Sequence, residues 1–429
     1  MALIVQKFGG TSVGGIDRIE GVADRIVQAR EGGDDIVVVL SAMAGETDRL
    51  LGLARAISTH GRPNPRELDV LLATGEQVTI ALLCMALEKR GVTARSFTGV
   101  QAGIRTDGGH TKARIAAIDA TALREQLDRG RVPVIAGFQG ADEQGNITTL
   151  GRGGSDTTAV AIAVALKADE CRIFTDVDGV YTADPRLVPE ARRLERVSFE
   201  EMLEMAGQGS KVLQIRSVEF AHKYNMPLRV LSTFSDGCGT PASTSTGILA
   251  STMTGTLIVE RLETVESARI AGIACSRDEA EIRISGVPAA IDAVSRLLAP
   301  LADNRIDVDM IVQNMAADGR MNVAFTVSRQ DYDQALEILA LQFSGHDVCV
   351  EGDSRVAKVG LVGAGVRTQA GVAARMFAAL SRAGVAVRQI ATSELRISVV
   401  VDEIQMENAA RALHHEFRLD EPAAAVKAG

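Results

Sequence analysis

The chain has 429 residues, of which 46% are hydrophobic and 24% charged, which is ordinary globular composition and enough length for two or three domains. Its net charge of −9, without a long basic run, makes nucleic acid and anionic membranes poor candidates as partners. The five cysteines form no C-x-x-C pair, the first residues lack the pattern of a signal peptide, and no apolar run of roughly 18 residues occurs, so no membrane span and a reducing cytoplasm are expected.

Up to about residue 234, short apolar strands alternate with helical runs, which predicts an α/β domain with a largely parallel sheet. The expected strands are Ala2–Phe8, Asp35–Leu40, Ala94–Phe97, Val132–Phe138, Cys171–Thr175 and Leu228–Leu231. The expected helices are Asp17–Arg30, Arg66–Arg90, Asp156–Lys167, Phe199–Met205 and Lys211–Tyr224.

From Ser235 to Thr256 the composition shifts to Gly, Ser, Thr and Pro, which is typical of a linker. Beyond it, Ala280–Gly286 resembles Ala357–Gly363, and a helix, two strands and another helix are expected after each copy. Such tandem α+β units tend to bury their apolar faces on one another, so a binding site at their seam would be a natural use of them. The four expected strands are Ile306–Gln313, Met321–Val327, Val385–Thr392 and Leu395–Val401.

Two glycine-rich segments lie where a predicted strand ends or a predicted helix begins. In Lys7–Ser12 a lysine closes a strand before two glycines, an arrangement that lets backbone N–H groups and a positive charge meet an anion; a tight turn with a solvated lysine explains the segment equally well. Gly151–Asp156 opens an apolar helix, whose N-terminus favours anions, and Arg152 can grip a carboxylate through two hydrogen bonds. Asp156 could instead serve only as a helix cap.

Three more segments lie at strand ends or helix starts. Thr175–Arg186 combines three aspartates with a tyrosine and an arginine, and turns explain the aspartates but not Tyr181 or Arg186, which would suit an adenine face and a phosphate. Ser41–Thr47 follows a strand, and Thr74–Gln77 interrupts a helical run. A glutamate beside a glycine in a helix, such as Glu76, is ordinarily a solvated surface residue.

Gly363–Thr368 imitates a dinucleotide fingerprint, but its third glycine is replaced by Thr368 and no acid follows at the required distance, so a turn of the repeat is the better interpretation. The interpretation of the chain as a dehydrogenase would rest on this segment alone. The sequence has no P-loop and no Cys/His cluster, so no metal site made wholly of protein ligands is expected.

Taken together, the segments resemble the aspartate kinase branch of the amino-acid kinase family over essentially the whole chain. The resemblance implies a three-layer α/β kinase domain at 1–234, a linker at 235–256, and paired ACT domains of ferredoxin-like α+β fold at 257–429, with repeats at about 267–350 and 355–420. The motifs that carry it are Lys7–Ser12, Ser41–Met43, Thr74–Glu76, Thr149–Asp156, Thr175–Arg186 and Gly209–Lys211.

The resemblance also implies an activity: transfer of the γ-phosphoryl group of ATP, with Mg²⁺ carried on the nucleotide, to the side-chain carboxylate of L-aspartate. This is the first step toward lysine, threonine, methionine and diaminopimelate. Lys7 and Asp156 would be catalytic. The aspartate pocket would contain Ser41, Thr47, Glu76, Arg152, Gly153 and Ser155. The nucleotide would contact Lys7, Gly9, Gly10, Thr175, Asp176, Tyr181, Asp184, Arg186 and Lys211.

ACT pairs of this family bind end-product amino acids, lysine and threonine above all, and commonly pair between chains, so an effector and a homodimer or larger assembly are expected. The turn Gly286–Ile291 and the stretch Thr368–Gly371 depart from the family pattern, which leaves the identity of the effector open. Met253 could start a separate regulatory subunit. The matching effector residues are Val308, Gln313, Asn314, Thr392, Ser393 and Glu394.

Two alternatives to this activity stay open. One is a kinase for glutamate or acetylglutamate. The other is an amino-acid-binding regulator with a disabled kinase domain, although Lys7, Glu76, Arg152 and Asp156 are all present.

Overall fold

The computed structural model describes residues 1–210, 212–234, 255–260, 270–344, 347–364, 366 and 371–421. Its contacts divide the chain into two compact units. The first consists of Met1–Val180, Arg193–Leu203 and Lys211–Glu263, and the second of Tyr181–Arg192, Glu204–Ser210 and Thr264–Gly429.

The sequence predicts a single boundary after residue 234, yet Tyr181–Arg192 belongs to the second unit. The physical reason is that this segment pairs with residues far along the chain. Ile273 N–H donates to Thr182 O (2.7 Å), and Ala183 and Val188 are part of the apolar core of that unit. A short polar turn gives no sign of such distant partners in its own sequence.

The first unit is an α/β domain built around one large sheet. Its strands are β1 Leu3–Phe8, β2 Asp35–Leu40, β3 Ala94–Phe97, β4 Ile104–Thr106, β5 Ile115–Ile118, β6 Val132–Ala136, β7 Gln139–Ala141, β8 Ile147–Thr149, β9 Glu170–Thr175, β10 Arg196–Ser198, β11 Leu228–Ser232 and β12 Thr256–Val259. Its helices are α1 Ile16–Glu31, α2 Glu46–Ile57, α3 Pro65–Leu72, α4 Thr74–Glu88, α5 Thr121–Asp128, α6 Gly154–Leu166, α7 Phe199–Gly207 and α8 Ile215–Lys223, with the last residues of α7 assigned to the second unit.

The large sheet has the strand order β10-β12-β11-β9-β1-β2-β6-β3, and all its pairings from β11 to β3 are parallel. Alternate residues of β1, β2 and β6 pack with α1 and α4 in one apolar core, while α6 contacts β1, β2 and β9. The fold class predicted from the sequence is therefore confirmed. A smaller sheet, β5-β4-β7-β8, accompanies it.

The predicted helical run Arg66–Arg90 is two helices that meet at Ala73. Asn64 caps α3 by accepting from Arg66 N and Glu67 N, and Pro65 occupies the first helical position, where its missing N–H costs nothing. By length and hydropathy Pro65–Glu88 could cross a membrane, but half of its apolar window is buried inside the protein. A buried core helix passes that test equally well.

Other boundaries also need correction. Thr256, expected to end the linker, is buried and opens β12, where it pairs with β11. Its Oγ1 donates to Leu194 O (2.5 Å), so this strand completes the sheet of the first unit. Residues 235–254 lie outside the described residues, as does Met253. The last predicted helix begins at Ile215 and not at Lys211.

The second unit contains the repeat. Its sheet has the order β14-β15-β13-β16-β18-β17, and β13 pairs with β16 along most of their lengths. Two apolar cores pack against it, one for each copy. The strands are β13 Gly272–Pro288, β14 Val308–Met315, β15 Arg320–Val327, β16 Cys349–Val362, β17 Val387–Thr392 and β18 Arg396–Asp402; the helices are α9 Ala293–Asp303, α10 Tyr332–Gln342, α11 Val372–Arg382 and α12 Met406–Glu416.

Candidate active site

The parallel strands β9, β1, β2 and β6 end at the same edge of the large sheet. Loops that follow them carry the residues singled out in the sequence, and α4 and α6 begin beside the same edge. In open α/β sheets this edge is where ligands bind. The topology therefore explains why segments far apart in sequence gather in one place.

Lys7 and Asp156 form a buried ion pair at this edge. Lys7 Nζ lies 2.5 Å from Asp156 Oδ1, and each side chain is only 10% exposed. Lys7 is the next-to-last residue of β1, and Asp156 lies in the first turn of α6. The carboxylate therefore holds the ammonium in a fixed position, as expected for a cation that acts on a bound anion.

The two glycines after β1 have different surroundings in the structure. Gly9 N–H donates to Phe174 O (3.1 Å) and so continues the pairing of β1 with β9. The Gly9 N–H group is therefore used within the sheet, and a contact of Gly9 with the nucleotide stays a prediction. Gly10 approaches the loop after β2 closely, because a Cβ at Gly10 would lie 2.9 Å from Ala42 O.

Glu76 is the most unusual residue of the site. It is 3% exposed, Oε1 accepts from Ala42 N (3.0 Å), and Oε2 is buried with no hydrogen-bond partner among the described residues. Burial raises the pKa of Glu76 to about 7, despite the hydrogen bond from Ala42 N–H. The interpretation as a solvated surface residue is wrong, since α4 packs this turn under the loop that follows β2.

Ser41 and Thr47 belong to the same loop. Ser41 is partly buried, and its backbone carbonyl accepts from Thr79 Oγ1 (2.9 Å), which fixes the loop to α4. Thr47 is partly buried in the first turn of α2, beyond Gly45, which has a left-handed backbone (φ +80°). Both side chains therefore belong to the loop that caps Glu76.

The loop between β8 and α6 contributes the second cationic group. Arg152 is exposed and forms no ion pair within the described part of the chain. Gly153 has φ +70°, and a Cβ there would lie 1.7 Å from Gln214 Cγ, so only glycine fits. Ser155 is buried near Gly137 in the first turn of α6.

The residues expected around the nucleotide are divided between the units. Thr175 ends β9, and its Oγ1 donates to Asp176 Oδ1 (3.0 Å), at the same sheet edge as Lys7. Tyr181, Asp184 and Arg186 belong to the second unit, where Arg186 forms an ion pair with Asp184 (2.8 Å). Lys211 lies outside the described residues. Nucleotide contacts by these residues stay a prediction.

The predicted effector residues lie on β14 and at the end of β17. Val308 is partly buried, whereas Gln313, Asn314, Thr392 and Glu394 are exposed. Ser393 Oγ donates to Glu204 Oε1 (2.8 Å), and Arg396 Nη1 pairs with the other oxygen of Glu204 (3.0 Å). Effector binding by these residues stays a prediction, as does the role of the stretch Thr368–Gly371, most of which lies outside the described residues.

Sequence reasoning missed a buried set of charges between the two repeats. Lys358 Nζ lies 2.7 Å from Asp309 Oδ2 and 2.9 Å from Glu279 Oε1. Arg388 Nη1 lies 3.2 Å from Glu281 Oε2, which is 2% exposed. The only signal in the sequence was charge within otherwise apolar strands.

Family comparisons agree with this architecture. A model described as "Amino acid kinase family" matches residues 2–232, and an ACT domain model matches residues 359–417. The first match covers most of the first unit, and the second match lies in the second copy of the repeat.

Relatives match over the full length. An aspartate kinase of Pseudomonas fluorescens is 56% identical over 426 residues, which are 99% of both chains, and an aspartokinase of Corynebacterium glutamicum is 46% identical over 436 residues, covering 100% of this chain and 99% of that one. A crystal structure of E. coli aspartokinase III with aspartate and ADP is 26% identical with a TM-score of 0.79 and covers 96% of this chain and 99% of that chain. The chain belongs to the amino-acid kinase family, in its aspartate kinase branch.

Proposed function

We propose that this chain transfers the γ-phosphoryl group of MgATP to the side-chain carboxylate of L-aspartate, giving 4-phospho-L-aspartate. One observation carries the proposal: the buried oxygen of Glu76 that lacks a partner in the described structure, placed at the sheet edge that also holds the Lys7–Asp156 pair. A buried carboxylate of this kind needs a cation, and the ammonium of an amino acid supplies one.

Recognition of the substrate follows from two opposite charges. Glu76 binds the ammonium of aspartate and Arg152 its α-carboxylate, so that the side-chain carboxylate faces the nucleotide. Ser41, Thr47, Gly153 and Ser155 line the same pocket. An exposed arginine without an ion pair in the described structure supports this role, because it is free to form a bidentate contact with an incoming carboxylate.

The chemistry needs charge and position more than it needs a base. The side-chain carboxylate of aspartate has an ordinary pKa of about 3.9, so it is already a nucleophile at neutral pH. The barrier is the repulsion between this anion and the triphosphate, and Lys7 offsets it, held in place by Asp156. Among the described residues no cluster of three or more ligands could hold a metal ion, and Mg²⁺ enters as part of the substrate MgATP.

The described residues of the first unit that we assign to the nucleotide are Lys7, Gly9, Gly10, Thr175 and Asp176. For Tyr181, Asp184, Arg186 and Lys211 the assignment depends on the resemblance in sequence. The ADP bound to the E. coli relative supports a nucleotide of this class.

Regulation and assembly are part of the proposal. A structure of E. coli aspartokinase III with lysine and aspartate (T-state), 26% identical and with a TM-score of 0.72, supports an amino-acid effector such as lysine or threonine. We place it at Val308, Gln313, Asn314 and Thr392–Glu394, in a homodimer or larger assembly of ACT domains. A biosynthetic role in the cytoplasm is part of the same proposal.

The decisive experiment traps the acyl phosphate. Purified chain with MgATP and L-aspartate is expected to give aspartyl hydroxamate when hydroxylamine is present, while glutamate and acetylglutamate give none. Product from either of those two substrates in preference to aspartate would make the chain a different amino-acid kinase. Nucleotide binding without any acyl phosphate would make it a regulator.

Arg152→Ala tests the substrate assignment. It should raise the KM for aspartate by roughly 100-fold, the value of a charge-assisted hydrogen-bond pair, and leave the KM for ATP within about twofold. Equal changes in both constants would remove Arg152 from the aspartate pocket.

A further inference from the structure

Asp69 is a completely buried acid that the proposed reaction does not use. It lies on α3 and is 0% exposed. Thr149 Oγ1 donates to its Oδ1 (2.5 Å), Thr111 N–H points at both oxygens (3.1 Å each), and His110 Nδ1 lies 2.8 Å from Oδ2. All three partners are far from Asp69 in sequence, so this carboxylate joins separate parts of the first unit.

Its partners support the loop that carries Arg152. Thr149 is the last residue of β8, and the loop begins at Gly151. Gly151 has φ +77°, and a Cβ there would lie 3.1 Å from Thr111 O, so the loop passes directly over the segment that Asp69 holds. Ala113 N–H also donates to Thr149 O (2.9 Å). Asp69 therefore fixes both the strand that enters the loop and the backbone beneath it.

The helix of Asp69 leads directly to Glu76. Ala73 N–H donates to Asp69 O (3.0 Å), and Gln139 Nε2 donates to Ala73 O (2.8 Å), which fixes the junction between α3 and α4. Glu76 lies in the first turn of α4, immediately after this junction. Asp69 is thus linked to both proposed substrate-binding side chains. The junction between α3 and α4 links it to Glu76, and the loop after β8 links it to Arg152.

We propose that Asp69 is a positioning residue that sets the separation between Glu76 and Arg152, and so selects a substrate whose ammonium and carboxylate share one carbon atom. The inference rests on the proposed roles of Glu76 and Arg152. Asp69 itself has no contact with substrate in this account. It acts through Thr149 and Thr111, because a buried carboxylate with four hydrogen bonds has little freedom to move.

Asp69→Asn keeps the size of the side chain but replaces one acceptor by a donor. We expect the KM for aspartate to rise by roughly tenfold, since a small displacement of a positioning group is costly, while the KM for ATP stays within about twofold. A matched control is Asp142→Asn. Asp142 accepts from Gln144 N (3.0 Å) and Asn146 N (2.8 Å) in the turn between β7 and β8 of the same small sheet, so a general loss of hydrogen bonds there should leave both constants unchanged.

A double-mutant cycle separates positioning from mere stabilisation. If Asp69 acts through Arg152, Asp69→Asn should change the KM for aspartate by less than about twofold in an Arg152→Ala background. Multiplicative effects of the two substitutions would overturn the inference. If Arg152→Ala raises the KM and Asp69→Asn does not, the inference fails and the proposed function stands; if Arg152→Ala has no effect, the substrate assignment fails and the inference with it.

Thr149→Val provides a second route should Asp69→Asn fold poorly. It removes one hydrogen bond to Asp69 with little change of shape, so the same selective rise in the KM for aspartate is expected, at a smaller size. An unchanged KM in folded Thr149→Val would also overturn the inference.

Discussion

Glu76→Gln tests the central feature of the site, a buried carboxyl that keeps its proton to a higher pH than an ordinary glutamate until a substrate ammonium arrives. Burial raises the pKa of Glu76 from its ordinary 4.5 to about 7. Between these two values the folded chain keeps a proton that the unfolded chain has lost, so stability falls as pH rises through this window. At about 1.4 kcal/mol per pKa unit, the wild-type chain should lose about 3 kcal/mol relative to Glu76→Gln between pH 4 and pH 8.

The comparison across pH removes the constant costs of the substitution. Glutamine keeps an acceptor for Ala42 N–H but adds a buried amide donor, which destabilises the variant by about the same amount at every pH. Urea denaturation of the unliganded proteins at several pH values measures the difference. Glu88→Gln is the control, because Glu88 is exposed at the other end of α4 and its substitution should leave the pH dependence unchanged.

The pH dependence of aspartate binding should also report on the ionisation of Glu76. The ammonium of the substrate favours ionised Glu76, so the KM for aspartate in the wild-type chain should rise by up to about tenfold per pH unit below 7. Glu76→Gln should have a KM roughly 100-fold higher at pH 8 and a smaller excess at pH 6. Titration of ATP affects both proteins alike and cancels in the ratio.

Steady-state assays of ADP release at saturating MgATP give the KM for aspartate of the Glu76→Gln variant and of the wild-type chain, and hence the ratio of the two. A ratio of the two KM values that stays constant from pH 6 to pH 8, together with parallel stability curves, would refute the assignment of Glu76 as a buried carboxyl that binds the substrate ammonium.

Two further predictions concern the other buried charges. Lys7→Met should lower kcat by about 10²- to 10³-fold in a protein with unchanged circular dichroism. The control is Lys89→Met, which breaks an exposed ion pair with Glu20 and should leave kcat unchanged. A normal kcat for Lys7→Met would remove this residue from the mechanism. Lys358→Met leaves two carboxylates without their cation and should lower the free energy of unfolding, measured by chemical denaturation, by about 3–5 kcal/mol. Adding Asp309→Asn should restore part of this lost stability. A double variant no more stable than Lys358→Met would contradict the pairing.

The sequence predicted best where function depends on local backbone. The resemblance to the family placed Lys7 and Asp156 in one site, and the pattern of the repeat gave four of its strands to within a few residues. Prediction from the sequence failed where a partner far along the chain determines the surroundings of a residue. Glu76 looks like a surface residue in its own helix, Thr256 looks like part of a linker, and Asp69 looks like an ordinary acid on α3. In each case the decisive contact is made by a residue more than 30 positions away.

Gly9 shows that strand pairing can extend beyond the residues that a sequence pattern indicates. Two glycines after a strand predict two N–H groups aimed at an anion, yet the parallel pairing continues one residue further than expected and uses the first of them. A strand end cannot be read from one strand alone, because its neighbour determines where hydrogen bonding stops.

The two copies of the repeat are alike in backbone but opposite in charge at the seam. The registers Val308↔Val327↔Ala280 and Val387↔Val401↔Ala357 make the copies equivalent, so the residues that follow correspond: Asp309 with Arg388, and Glu281 with Lys358.

The bulge of β14 lies between Asp309 and Val312, and that of β17 lies at Arg388. Bulges re-aim side chains, and here both side chains reach the other copy, where each finds a buried partner of opposite sign. Two identical copies would instead face acid with acid or base with base, which is costly in a buried setting. The charges thus make the copies non-interchangeable. They join β14 to β16 and β17 to β13, so each strand that carries predicted effector residues is tied to the other copy.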